Sequence, residues 1–197
     1  MGKIFCLMGK SSSGKDTIYK RLMEDSALGL KRIVPYTTRP IREGEQEGVE
    51  YHFVNEEKLA FLQSEEKVVE VRAYDTVHGV WKYFTVCDDQ MDLEKEFYAV
   101  IGTLESWRGM CGYFGRDVMV PVYIEVEDGL RLERALLRER CQAAPKYTEL
   151  CRRFLADAED FSEENLKKEG IAVRFQNVDF EKCYNEIKIF IQKEKTV

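Results

Sequence analysis

The feature that most constrains this chain is a loop rich in glycine and serine, G-K-S-S-S-G-K-D-T, at positions 9–17. The apolar run K-I-F-C-L-M at 3–8 precedes it and predicts a buried strand, and positions 16–25 have the apolar spacing of a helix. A strand, a glycine-rich loop and a helix in this order are the context of a P-loop, whose backbone N–H groups and helix N-terminus surround a phosphate group. The sequence therefore predicts a phosphate-binding site at this loop.

Two residues of the loop decide its predicted chemistry. Lys15 is expected to reach the β- and γ-phosphates of a nucleoside triphosphate. The strict pattern has Ser or Thr after the lysine as a Mg²⁺ ligand, whereas this chain has Asp16 and then Thr17. Both are candidate ligands of a Mg²⁺ ion bound with ATP. The predicted ATP contacts in this loop are Gly9, Lys10, Ser11, Ser12, Ser13, Gly14, Lys15, Asp16 and Thr17.

Composition excludes several other functions. The chain has 197 residues, a net charge of −6 and no apolar run long enough to cross a membrane, so we expect no binding to nucleic acid or membranes and a location in the cytoplasm. Its two histidines, His52 and His78, are too few for a zinc site or a Ser-His-Asp triad. The six cysteines contain no C-x-x-C pair, and we expect them to be buried as small hydrophobic residues.

The order of predicted elements indicates an α/β fold. Short apolar runs, such as 97–101 and 118–126, alternate with helical patterns, such as 129–139 and 148–163, which predicts a parallel sheet flanked by helices. The β-rich, acidic segment 35–86 interrupts this alternation. We therefore predict a core of residues 1–34 and 87–197, with a lid at about 130–160, and an inserted lobe of residues 35–86, effectively in one domain.

A second motif carries a family resemblance. Positions 36–45 read Y-T-T-R-P-I-R-E-G-E, and positions 48–54 read G-V-E-Y-H-F-V. Together with the P-loop, this segment resembles the guanylate kinase family. Further positions match in the expected order: Glu70, Tyr83-Phe84-Thr85, Arg134, Arg138, Arg153, Ala156, Glu159 and Asn177. The resemblance implies a P-loop NTPase-type α/β core, an inserted β-rich lobe that binds a nucleoside monophosphate, and a helical lid.

The resemblance also implies an activity, the ATP-dependent phosphorylation of GMP to GDP, in a monomer or homodimer whose partners are the small molecules ATP and GMP. It implies that the GMP phosphate is held by Arg39, Arg42, Tyr51 and Tyr83. Paired guanidinium and phenol groups suit a dianionic phosphate. It implies that the guanine is read by Glu70, which accepts from N1–H and N2–H₂, and by Thr85, which donates to the carbonyl.

The implied catalytic residues are Lys15 and three arginines of the lid, Arg134, Arg138 and Arg153. Arg134 and Arg138 are four residues apart and share one helical face. Asn177 is implied to lie near the adenine of ATP. Each of these side chains also has an ordinary structural alternative, namely a solvated arginine on a helix or a polar residue in a turn.

The sequence departs from the family pattern at the expected base site. Pro35 stands where the family usually has serine, residues 102–105 replace an expected acidic pair, and residues 80–82 contain one extra residue. Two alternatives therefore remain: a kinase of this fold with another nucleoside monophosphate as acceptor, and a catalytically inactive guanylate-kinase-like binding module.

Overall fold

The central element of the structure is a parallel sheet. The computed structural model describes residues 1–76, 79–88 and 91–196, so His78 lies outside the described residues. The sheet has five strands in the order β2-β7-β1-β8-β9. Their bounds are β1 Ile4–Met8, β2 Leu30–Arg32, β7 Phe97–Ile101, β8 Met119–Glu125 and β9 Arg174–Gln176.

Residues of the 35–86 segment form a second sheet. It has four strands in the order β4-β3-β6-β5, with bounds β3 Tyr36–Thr37, β4 His52–Phe53, β5 Val68–Thr76 and β6 Gly79–Val86. The pair β5–β6 is antiparallel, and β3 also runs antiparallel to β6. This sheet displays the residues expected to bind a monophosphate.

Seven helices occur in the described part of the chain. They are α1 Lys15–Glu24, α2 Glu56–Ser64, α3 Leu104–Phe114, α4 Asp128–Arg140, α5 Tyr147–Asp160, α6 Glu163–Lys168 and α7 Phe180–Glu194. None of the helices among the described residues has the length and apolar character needed to span a membrane.

Strand β1 lies at the centre of the core because both of its faces are covered. Ile4, Cys6 and Met8 belong to one buried cluster, which includes Trp107 of α3. Phe5 and Leu7 belong to the other, which includes residues of α1 and α7. A strand buried on both faces has a continuous apolar sequence, and the predicted α/β fold with a parallel sheet flanked by helices is confirmed.

Several local predictions were wrong. Helix α3 was not predicted, although Thr103 and Ser106 form a reciprocal cap at its N-terminus. The predicted helix 148–163 is two helices, because α5 ends at Asp160 and α6 begins after Ser162, whose side chain accepts from the N–H of Asn165. The expectation that all cysteines are buried fails at Cys141 and Cys151, which are exposed, and at Cys87, which is half-buried.

Candidate functional site

The P-loop connects β1 to α1 and is held by a hydrogen bond from the buried side chain of Asn177. Gly14 has a φ of +84°, and a Cβ added there would lie 2.4 Å from Nδ2 of Asn177, so only glycine fits. Asn177 is buried, and its Nδ2 donates to the carbonyl of Ser13 at 2.7 Å. In this structure Asn177 thus holds the loop in shape, and its expected contact with ATP stays a prediction.

The start of α1 displays the polar groups expected to meet the phosphates. Nζ of Lys15 lies 3.5 Å from Oδ2 of Asp16, and the side chains of Asp16 and Thr17 are exposed. Mg²⁺ commonly binds one or two protein carboxylates and completes its shell with phosphate oxygens and water. An exposed carboxylate and hydroxyl beside Lys15 fit this requirement, and the described residues hold no cluster of three metal-ligating side chains that would form a separate protein cage.

The structure brings Arg138 and Arg153 to the P-loop, and it brings Arg134 to Asn177, which contacts the loop. Nη2 of Arg138 donates to Oγ of Ser12 at 3.2 Å, and Nη2 of Arg134 donates to the carbonyl of Asn177 at 2.9 Å. Arg153 of α5 lines one small cleft together with Ser12 and Arg138. Positive charge from two helices therefore surrounds the loop that is expected to bind a polyphosphate.

A buried ion-pair network that sequence reasoning missed joins the lid to this loop. Arg131 is only 1% exposed, and its Nη1 donates to Oδ2 of Asp157 at 3.2 Å and to the carbonyl of Ser11 at 3.3 Å. The N–H of Ser11 donates to the same Asp157 oxygen at 2.8 Å. The sequence signal was the pair Asp128 and Arg131, three residues apart on one helix.

Asp128 extends this network to another residue of the loop. Nζ of Lys10 lies 3.2 Å from Oδ1 of Asp128, so Lys10 is engaged at the lid in this structure. Partial burial raises the pKa of Asp128, but the hydrogen bonds from Arg131 and Lys10 outweigh it and hold the pKa below its ordinary value. The carboxylate is therefore kept ionised between two cations.

The expected acceptor-phosphate residues lie together beside the second sheet, which contributes Tyr83 from β6. Arg39 is 3% exposed, and its guanidinium lies 5.0 Å from the centre of the Tyr51 ring. The rings of Tyr51 and Tyr83 are 5.5 Å apart. Arg42 is exposed, with its guanidinium 5.8 Å from the ring of Trp81. The cluster thus combines one buried arginine, one exposed arginine and two phenols.

Arg39 has a partner that the sequence analysis did not assign. Its Nη1 donates to Oε2 of Glu45 at 2.7 Å, and the N–H of Arg42 donates to the same oxygen at 2.8 Å. These hydrogen bonds, that from Arg39 above all, lower the pKa of Glu45. Nε of Arg39 is buried and has no hydrogen-bond partner among the described residues. An unpaired buried donor of a cation suits an anionic oxygen.

The expected base reader is held by three hydrogen bonds. Glu70 is 9% exposed, and Oγ1 of Thr85 donates to its Oε1 at 2.8 Å. Arg72, which sequence reasoning did not single out, donates from Nε to Oε2 at 2.9 Å and from Nη2 to Oε1 at 3.4 Å. The available signal was the spacing of two residues on a strand, which places Glu70 and Arg72 on one face.

The structure shows what surrounds Gly102, Thr103 and Pro35, the positions at which the sequence departs from the family pattern. A Cβ added to Gly102 would lie 2.7 Å from Sγ of Cys6 and from Oγ of Ser106, so an acidic side chain does not fit there without rearrangement. Oγ1 of Thr103 accepts from the N–H of Ser106 and caps α3. The carbonyl of Pro35 accepts from the N–H of His52. Glu70 is therefore the acidic residue that this chain retains at the expected base site.

Comparisons with known proteins agree with the motifs. Residues 1–82 match the family model described as guanylate kinase. A guanylate kinase of Schizosaccharomyces pombe is 45% identical over 64 residues, 32% of this chain and 32% of that protein. One of Neisseria gonorrhoeae is 44% identical over 69 residues, 35% of this chain and 33% of that protein. The aligned segments thus span about a third of these relatives.

A likeness in structure covers more of the chain. The crystal structure of a guanylate kinase from Anaplasma phagocytophilum superposes with a TM-score of 0.68 over 98% of this chain and 86% of that one. The sequences are 21% identical in this comparison, so the likeness establishes a shared fold.

Proposed function

We propose that this chain, whose residues 1–82 match the guanylate kinase family model, transfers the terminal phosphoryl group of ATP to the phosphate of GMP, forming ADP and GDP. The observation that carries the proposal is the presence of two separate clusters of cationic side chains on one chain, each of which suits an anion. One surrounds the P-loop and contains Lys15, Arg138 and Arg153. The other contains Arg39 and Tyr51 beside the second sheet.

The acceptor cluster argues against a simple ATP hydrolase. Arg39 combines a buried guanidinium with an Nε that has no partner in the described part of the chain, and Tyr51 and Tyr83 stand beside it. Such a cluster has a purpose in a phosphotransferase because the acceptor phosphate must be fixed in line with the donor. Burial raises the pKa of Tyr51 above its ordinary value, so its hydroxyl keeps a proton to donate.

The transfer itself needs little from the side chains beyond positioning and charge. The GMP phosphate oxygen is already an anionic nucleophile, so no general base is required. In the proposed reaction Lys15 and the lid arginines stabilise the charge that develops on the transferred group. Asp16 and Thr17 would hold the Mg²⁺ ion that accompanies ATP, and this ion would neutralise phosphate charge when bound.

An assay of substrate choice tests this proposal. Purified protein with ATP and Mg²⁺ should release ADP with GMP much faster than with AMP, CMP or UMP. Lys15→Ala should lower this rate by about 100-fold or more, because it removes a cation from the phosphates. Lys20→Ala, an exposed lysine on the same helix, is the matched control and should leave the rate unchanged. A preference for another monophosphate would identify a kinase with a different acceptor.

Other parts of the account remain predictions. The intact P-loop and the lid arginines around it favour an enzyme over an inactive binding module. We retain the division between residues 1–34 with 87–197 and the GMP-binding lobe 35–86 as part of the proposal. The expected location in the cytoplasm and the expected state, monomer or homodimer, also stay predictions.

A further inference from the structure

The strand that carries Glu70 brings a second charged side chain to the expected base site. Glu70 and Arg72 lie on one face of β5, and the strand register pairs them with Thr85 and Tyr83 of β6. The side chains of Arg72 and Glu70 are 13% and 5% exposed. Resting on the proposed function, we propose that Arg72 is a specificity-determining residue that donates a hydrogen bond to the O6 carbonyl of guanine.

The hydrogen-bonding edge of guanine has a fixed order of donors and acceptors. That edge presents a donor at N2–H₂, a donor at N1–H and an acceptor at O6, in this order. A complementary site must present two acceptors followed by a donor. The Glu70 carboxylate supplies two acceptor oxygens. The Arg72 guanidinium has five N–H donors. Two of them donate to Glu70 in this structure. The Glu70–Arg72 pair therefore contains the complete complementary pattern.

Thr85, the residue expected to donate to O6, has another partner in this structure. A threonine hydroxyl has one proton to donate, and that of Thr85 is donated to Oε1 of Glu70 at 2.8 Å. Thr85 therefore acts as a positioning residue for the carboxylate while this bond exists. The donor to O6 must come from another side chain, and Arg72 lies in direct contact with Glu70.

The number of hydrogen bonds that the Glu70 carboxylate can accept indicates which Arg72 contact must change when guanine binds. Two carboxylate oxygens accept about four hydrogen bonds, and Thr85 and Arg72 already provide three. Guanine adds two, so one existing contact must be released. The contact from Nη2 of Arg72 to Oε1 is the longest at 3.4 Å, whereas Nε stays at 2.9 Å from Oε2. If Nη2 of Arg72 turns from Oε1 of Glu70 to O6 of guanine, the carboxylate accepts four hydrogen bonds and O6 accepts one.

The surroundings support a fixed position for this pair. Helix α3 packs against β5, and a Cβ on Gly109 would lie 2.4 Å from Cβ of Glu70. The backbone of α3 therefore presses directly on the base reader. The Glu70 carboxylate and the Arg72 guanidinium therefore form a buried ion pair at this position.

The experiment compares GMP with 6-thio-GMP, in which sulfur replaces O6 and is a much weaker acceptor. The chain variants are Arg72→Met, which keeps an unbranched apolar side chain close in size to the alkyl part of arginine and removes all donors, and Arg72→Lys, which keeps a charged donor. Wild-type kcat/KM should favour GMP over 6-thio-GMP by about 10-fold or more, as expected for one charge-assisted hydrogen bond. Arg72→Met should reduce this ratio to about 2-fold or less, and Arg72→Lys should retain part of it.

Two readouts separate base reading from a purely structural role. A structural role would lower kcat/KM for GMP and 6-thio-GMP equally and leave their ratio unchanged in Arg72→Met, which would overturn the inference. The preference for GMP over IMP depends on N2–H₂ and Glu70, and it should persist in Arg72→Met. If Arg72→Met does not fold, Arg72→Lys and the wild-type ratio carry the test, and a wild type that does not distinguish the two nucleotides overturns the inference.

Failure of the inference differs from failure of the proposed function. A wild-type protein that phosphorylates GMP but shows no dependence of the thio ratio on Arg72 retains the proposed function and loses only this inference. A wild-type protein that transfers phosphate to no guanine nucleotide loses the proposed function, and the inference with it.

Discussion

Arg39 and Arg42 are three positions apart, yet their surroundings differ. Arg39 is buried and bonded to Glu45, whereas Arg42 is exposed beside Trp81. Each Arg→Ala change should raise the KM for GMP by about 10- to 150-fold through loss of a charge-assisted contact, and should leave the KM for ATP unchanged. Steady-state kinetics with each substrate varied in turn measures this.

Stability should separate the two arginines further. Arg39→Ala leaves Glu45 without its cation and should lower the melting temperature, whereas Arg42→Ala should not. Arg116→Ala, which removes a surface arginine paired with Glu169, is the control for both KM values. Equal increases in KM for ATP and GMP would show that these arginines do not serve the acceptor phosphate.

At the scale of residues, the sequence predicted which side chains lie close together but not which of them form hydrogen-bonded ion pairs. The motifs named Glu70 with Thr85 and Arg39 with Tyr51, and the structure brings each pair together, while their roles stay predictions. Glu45 and Arg72 were missed because a charged residue on a strand or loop looks the same in sequence whether it is solvated or buried. Burial and pairing of a charge depend on the packing of distant elements.

At the scale of elements, α5 is tied to the P-loop by one carboxylate. Asp157 accepts from the N–H of Ser11 and from the buried Arg131. Asp157→Ala removes one partner of a buried arginine and should destabilise the protein by about 1–3 kcal/mol. The melting temperature should then fall by several degrees in thermal denaturation followed by circular dichroism, at roughly 2–4 °C per kcal/mol.

Asp160→Ala is the matched control for this change. Asp160 is an exposed aspartate on the same helix, and its loss should shift the melting temperature by about 1 °C at most. Equal shifts in the two variants would contradict a role of Asp157 in joining α5 to the loop.

The contact between α1 and α7 predicts a dependence of stability on acid. Hydrogen bonds from Lys188 and then Tyr184 lower the pKa of Asp25 to about 2. Since the pKa is lower in the folded than in the unfolded state, the contribution is complete above the unfolded pKa near 4 and is lost as the pH falls toward 2.

Asp25→Asn should therefore lower the melting temperature at pH 7, and the difference from the wild type should shrink between pH 4 and pH 2. Thermal denaturation across this pH range measures the difference. Glu24→Gln changes the exposed neighbouring carboxylate and should give a constant, small difference. A gap between wild type and Asp25→Asn that stays constant down to pH 2 would contradict the assignment.

Elements with strong local signals were predicted well, and α3 was not. The strand 97–101 matches the structure, because five apolar residues in succession suit a buried strand. Helix α3 contains Gly109 and Gly112, and glycine disfavours helix by about 1 kcal/mol each. Gly109 is required by the close approach of Glu70, so a tertiary contact outweighs the local preference.

At the scale of the whole molecule, the sequence predicted the class of fold but not the arrangement of strands. Parallel neighbours such as β1 and β7 are about 90 residues apart, so their pairing depends on contacts that no local pattern reports. The network of Arg131, Asp128 and Asp157 likewise joins segments distant in sequence. What could be predicted from the sequence was the set of candidate site residues in the short motifs.

The central claim is that this molecule moves a phosphoryl group from ATP to GMP across the two anion-binding clusters. Phosphorus-31 NMR of the protein with ATP, GMP and Mg²⁺ follows donor, acceptor and products in one sample. The account predicts that ADP and GDP appear in equal amounts, without matching release of inorganic phosphate, and that Lys15→Ala abolishes both signals. Inorganic phosphate formed from ATP without GDP, or no turnover of GMP by the wild-type protein, would contradict it.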